Sequence, residues 1–173
     1  MNTAAAERAL EREAIISAAG LVAGRRCLQG EPGWRRVRSR AEIKAYHEAA
    51  HAVVALALDK TPWLATIVGV PGVNDGYVLF RPPHSESDPW GGARKSPHDA
   101  EVVREKVRAL SLTGRKPLAI IRALRAETGR LLEEHWALVV LLAGELLKRQ
   151  TLSRDEISAI LGRHLKSSIS AAG

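Results

Sequence analysis

The chain has 173 residues and a mass of 18.8 kDa, enough for one domain that buries roughly 70% of its unfolded surface. A hydrophobic fraction of 46% and a charged fraction of 26% exclude wholesale disorder and collagen-like sequence. The lone cysteine, Cys27, excludes an internal disulfide framework and points to a reducing compartment, while a net charge of +7 is too small to argue for nucleic acid.

Residues 4–26 are rich in Ala, Glu, Leu and Arg and predict a helix, which Gly30, Pro32 and Gly33 then break. Glu7, Glu11 and Glu13 stand where a signal peptide would carry positive charge. Residues 1–40 hold eight arginines against four glutamates, more than half of the excess charge. This stretch reads as a solvated basic linker, with contact to an acidic partner as the alternative. The expected organisation is an N-terminal helical arm and basic linker over 1–38, one domain over 39–166, and a flexible tail over 167–173.

Ser39 followed by Glu42 is a capping box, and Ile43, Tyr46, Ala50, Val53, Val54, Ala57 and Leu58 form the apolar stripe of the helix behind it. Residues 59–62 end that helix. Residues 64–70 and 77–80 flank a turn-rich hexapeptide and predict a β-hairpin, followed by a Pro- and Gly-rich loop over 81–97. Ser96 and Pro97 announce a helix over 97–111, and Pro117 opens one long helix reaching about Gln150. Ser153 with Glu156 caps a last helix that ends near His164. The predicted class is mostly α with a small β-hairpin: a zincin-like helix plus a C-terminal helical bundle.

No membrane span is predicted, because the longest apolar run, residues 137–143, falls far short of the roughly 20 residues a bilayer requires. A cytoplasmic protein is expected. No ATP site is predicted either, since residues 113–116 (Thr-Gly-Arg-Lys) have the wrong spacing and order for a phosphate loop.

The sharpest signal is His47-Glu48-Ala49-Ala50-His51, an H-E-x-x-H pattern. Helical positions four apart share a face, so both imidazoles can converge on one Zn²⁺. Glu48, rotated by roughly 100°, can reach a water polarised by that ion and act as general base. The extended metzincin pattern is excluded, because Val54 and Ala57 occupy its Gly and His positions. A third ligand therefore comes from elsewhere in the chain.

Residues 46–55, Tyr-His-Glu-Ala-Ala-His-Ala-Val-Val-Ala, resemble the Y-H-E-A-G-H-A-V-V motif of the FtsH-type zinc metallopeptidases. Residues 61–68 and Gly76-Tyr77-Val78 are similar to that family's strand and glycine-led return strand. Glu127-Thr128, Leu131-Leu132, His135-Trp136, Leu146-Leu147, Thr151-Leu152 and Glu156-Ile157 resemble its closing helices. The resemblance covers about residues 39–163 and is strongest over 44–80. Ala50 replaces the usual glycine, and neither the family's ATPase nor its membrane anchor is expected here. The helix and glycine-rich stretch that lead to the family's metal-binding aspartate are abbreviated, with residues 81–98 in their place.

The resemblance implies a zinc peptidase acting on peptides or unfolded protein segments, with His47 and His51 as ligands and Glu48 as base. It places the third ligand at an aspartate opening a helix, which Asp99 matches; His84, Asp88, His98 and Glu101 compete for the role. Asp99 is equally suited to supporting a helix N-terminus. His135 is expected to pack beside Trp136 and His164 to sit at a helix C-terminus. Trp34, Trp63, Trp90 and Trp136 read as packing or rim residues, with Trp90 the candidate lid. Two other functions compete: a non-catalytic binding module that has lost the third ligand, and an arginine-rich adaptor acting through residues 25–40. No oligomeric state is implied.

Overall fold

The computed structural model describes residues 3–29, 39–69, 76–80 and 98–170. Six helices and a small sheet follow in the order α1 (Thr3–Gln29), α2 (Arg40–Ala57), β1 (Leu64–Thr66), β2 (Tyr77–Leu79), α3 (Asp99–Ser111), α4 (Pro117–Glu134), α5 (Trp136–Arg149), β3 (Thr151–Ser153) and α6 (Arg154–Ser170). The fold is mostly α with a small antiparallel sheet, the predicted class. The 71–75 turn, Ser96–Pro97, Trp34, His84, Asp88 and Trp90 lie outside the described residues.

Both capping boxes form. The Ser39 hydroxyl accepts from the Glu42 amide at 3.1 Å while the Ser39 amide donates to Glu42 Oε2 at 3.0 Å, fixing the start of α2. Ser153 and Glu156 repeat the arrangement at α6, with the Ser153 amide donating to Glu156 Oε2 at 2.9 Å. Each box satisfies amides that a helix start otherwise leaves open.

Three elements depart from the sequence-based expectation. The helix expected over 97–111 starts at Asp99, with His98 as its cap and no side-chain capping bond. The single long helix expected from Pro117 to about Gln150 is two, broken at His135 (φ −110°, ψ 16°). No Pro or Gly marks this break. It re-aims α5 against α2, where Trp136 stacks on Tyr46 with ring centroids 5.6 Å apart. α6 runs past His164 to Ser170.

The hairpin gains a strand. β1 pairs antiparallel with β2 (Ala65 opposite Val78) and on its other side with β3 (Ala65 opposite Leu152), giving the order β2-β1-β3. The chain enters β3 through Gln150 in the left-handed region (φ 66°), which lets a three-residue strand follow α5 directly. Thr66 Oγ1 lies 2.7 Å from Thr151 Oγ1, tying the added strand to the centre of the sheet.

One hydrophobic core joins these elements, with Tyr46, Leu110, Ile120, Leu132, Leu142, Leu146 and Leu152 fully buried. Burying each such leucine contributes about 1.5–3 kcal/mol. The N-terminal helix, expected as an arm, is part of this core: Ala14, Ile15, Ile16, Ala19 and Ala23 of α1 are buried in it. Their spacing forms a small-residue stripe that lets α1 approach α2 and α3 closely. α2 and α3 scarcely touch each other, so α1 is the element between them.

Candidate metal centre

His47 and His51 lie one turn apart on α2, and their rings meet edge to face with centroids 4.6 Å apart. Asp99, the first residue of α3, turns its carboxylate to them rather than to its own helix start. Asp99 Oδ2 lies 2.9 Å from His47 Nε2 and 3.1 Å from His51 Nε2, and the two Nε2 atoms are 3.0 Å apart. Among the described residues this trio is the group of His, Cys, Asp or Glu side chains able to hold a metal ion. The competing residues His98 and Glu101 are exposed and stand outside it.

A second contact fixes how His51 is used. Its Nδ1 lies 2.7 Å from the carbonyl oxygen of Ile16, an acceptor only, so Nδ1 carries the proton and donates. That leaves Nε2 as the ring atom facing His47 and Asp99, the support usual behind a metal-binding imidazole. The donor set, two imidazole nitrogens and one carboxylate oxygen 2.9–3.1 Å apart, could hold a metal ion. His51 is buried, whereas His47 and Asp99 are 26% and 27% exposed. The trio is thus buried at His51 and partly open to solvent at His47 and Asp99.

The electrostatics follow from shared protons. Burial works to raise the Asp99 carboxyl, but hydrogen bonds and charge from His47 and His51 outweigh it and hold it well below the usual carboxylate range. Burial works to lower His51, and the Asp99 carboxylate outweighs it, so the imidazole is raised.

Glu48, next to His47 on α2, interacts electrostatically with His47 and Asp99 and turns its carboxylate toward Gly76. It is 5% exposed, and burial pushes its carboxyl up to about 8. A cation beside it would draw the pKa down again. Gly76, just before β2, makes room for this carboxylate: a Cβ there would stand 2.8 Å from Glu48 Oε1 and 2.9 Å from the Thr66 carbonyl oxygen.

Sequence reasoning brought His47, His51, Glu48 and Asp99 to one place, and the structure brings the three ligand atoms together as stated. It missed the contribution of α1. A Cβ at Gly20 would stand 2.4 Å from His51 Nε2 and 2.6 Å from His47 Nε2, closer than any real side-chain contact. Gly24, one turn on, lies against His47 at ordinary distance, 4.0 Å from Nδ1. The signal was present: two glycines four apart inside an alanine-rich helix cost helix stability unless the backbone must come close to something. His135 stands at the α4–α5 break, immediately before Trp136, with no side-chain capping bond.

Comparison with protein-family models, with curated proteins and with solved structures finds no match. What is said of the centre therefore rests on its own geometry. Among the described residues no helix is long and apolar enough to cross a membrane.

Proposed function

We propose that the chain is a zinc-dependent peptidase of FtsH-like type, acting in the cytoplasm on peptides or unfolded segments. The observation that carries this reading is the convergence of His47, His51 and Asp99 with a buried glutamate, Glu48, next in sequence to the first ligand. A zinc ion held by the trio would polarise a water and a substrate carbonyl and lower the water's pKa to around 7. Glu48 would accept a proton from such a water as its oxygen attacks the peptide carbon. The same carboxyl then gives the proton to the leaving amine nitrogen as the C–N bond breaks. Asp99 and His47, partly exposed, form the edge at which an extended chain can enter.

Two features support the reading over a chance motif. The competing idea of a binding module rested on a missing third ligand, and Asp99 stands where one is needed. The second is that α1 brings the bare backbone of Gly20 against both imidazoles.

Glu48→Gln tests the proposal. Metal analysis of the purified protein is expected to give about one zinc per chain in both wild type and variant. Cleavage of a denatured protein should be lost in the variant alone, because an amide cannot take the water's proton. Wild-type cleavage by Glu48→Gln would remove Glu48 as the base, and absence of zinc from wild type would remove the peptidase reading.

A further inference from the structure

We infer that α1 is an assembling half of the metal centre, with Gly20 the positioning residue whose missing side chain leaves the cation its space. The inference rests on the metal-site reading above and extends it to a helix with no ligand of its own.

Three independent observations meet on α1. The two ligand-bearing helices scarcely touch each other, and both pack far more extensively on α1 than on α4, the other helix that meets both, so the Asp99-to-histidine distances are set chiefly through α1. Ile16 on the same helix accepts the hydrogen bond from His51 Nδ1 at 2.7 Å, which orients the ring. One turn later the Gly20 backbone closes over the two Nε2 atoms, where a Cβ would stand 2.4 and 2.6 Å away. Zinc–nitrogen bonds are about 2.0–2.1 Å, so a methyl there competes with the cation for the same space or pushes the nitrogens off it. Ion pairs hold the helix in register: Glu13 with Lys106 of α3 at 2.9 Å, and Glu11 with Arg115 beyond the end of α3. The consequence is that the face of the centre toward α1 is closed, which leaves the partly exposed edge at His47 and Asp99 for approach.

The experiment compares Gly20→Ala with Gly24→Ala, two identical changes on one helix. Alanine is the better helix former at both positions. An effect of helix propensity alone would therefore move the two variants alike. Zinc alone is titrated against a competing chelator. Gly24→Ala is expected to bind as wild type, since its Cβ meets His47 at an ordinary distance. Gly20→Ala is expected to lose about 100-fold in zinc affinity, the upper end of what displaced ligand support costs, while its circular dichroism is unchanged. Equal affinity in the two variants overturns the inference.

A metal-free arm separates this result from failure of the peptidase reading. The ring resonances of His47 and His51 in the apo protein should shift in Gly20→Ala and not in Gly24→Ala, whether or not wild type holds zinc. Unshifted rings in Gly20→Ala overturn the role of α1 on their own. Should Gly20→Ala melt below wild type, the same change is placed in a His47→Ala, His51→Ala background, where the crowded nitrogens are gone. The melting deficit should then vanish, and a deficit of equal size in both backgrounds overturns the inference.

Discussion

α2 and α1 face each other across the centre with opposite contributions. α2 brings His47, Glu48 and His51, three side chains recognisable by type and spacing. α1 brings a carbonyl oxygen at Ile16 and bare backbone at Gly20. The contrast shows that a metal site needs empty volume as much as donors. Spacing rules detect donors because imidazoles and carboxylates are chemically distinctive. The volume is encoded by absent side chains, which look in a sequence like any helix-weakening glycine.

The largest expected effect breaks the α2 side. His47→Ala or His51→Ala should abolish zinc binding, because two remaining ligands do not close a stable site. Asp99→Asn should weaken it severely, a neutral amide being a poor zinc ligand, while leaving α3 helical. Chelator-competition titrations of the three variants at one pH check this. Full zinc retention in both histidine variants would remove the assignment, and retention in Asp99→Asn alone would return the third ligand to residues 81–97, where Asp88→Asn is the next variant.

How much of this was legible differs by element. Ser39 with Glu42 and Ser153 with Glu156 announced two helix starts, because a capping box is a local bond pattern written within four residues. The H-E-x-x-H turn was legible for the same reason. The break at His135 was not, since no Pro or Gly marks it and the turn serves the packing of Trp136 on Tyr46, residues far apart in sequence. β3 was hidden by its length: Thr-Leu-Ser is too short for alternation to register, and its pairing with β1 spans most of the chain. The place of α1 in the core escaped because alanine stripes carry little hydrophobic contrast, while the arginines behind them suggested a solvated arm. Asp99 was located, but its two roles could be separated only once its carboxylate was seen on the histidines.

A smaller effect sharpens the comparison at Glu48. Gly76 is to Glu48 what Gly20 is to the imidazoles, a bare position against a functional atom. Gly76→Ala meets the Thr66 carbonyl as well as Glu48, and backbone yields less readily than a ring. It should cost about 1–3 kcal/mol in urea unfolding, the usual range for overpacking. Zinc affinity should stay near wild type while kcat falls, since Glu48 moves and the ligands do not. Loss of zinc with kcat per bound metal unchanged would mean that the two glycines do not serve separate parts of the centre.

The smallest effect asks whether the position of α2 depends on its first turn or on its packing. Ser39→Ala removes the hydroxyl that accepts from the Glu42 amide and the anchor that holds Glu42 in the reciprocal bond. Loss of such a cap costs about 1 kcal/mol, which for a chain of this size is a fall of roughly 2–4 °C in melting temperature. His47 lies about two turns beyond the cap, in a stretch where Ala45, Tyr46, Ala49, Ala50 and Val53 are buried against the core. Fraying of the exposed first turn should therefore stop before it reaches the ligands. Thermal unfolding with a parallel zinc titration separates the cases: a lower melting temperature at constant zinc affinity places the control of α2 in its packing on α1 and α5. A zinc affinity that falls along with the melting temperature would place it in the cap, and would make the start of α2, rather than α1, the element that sets the centre's geometry.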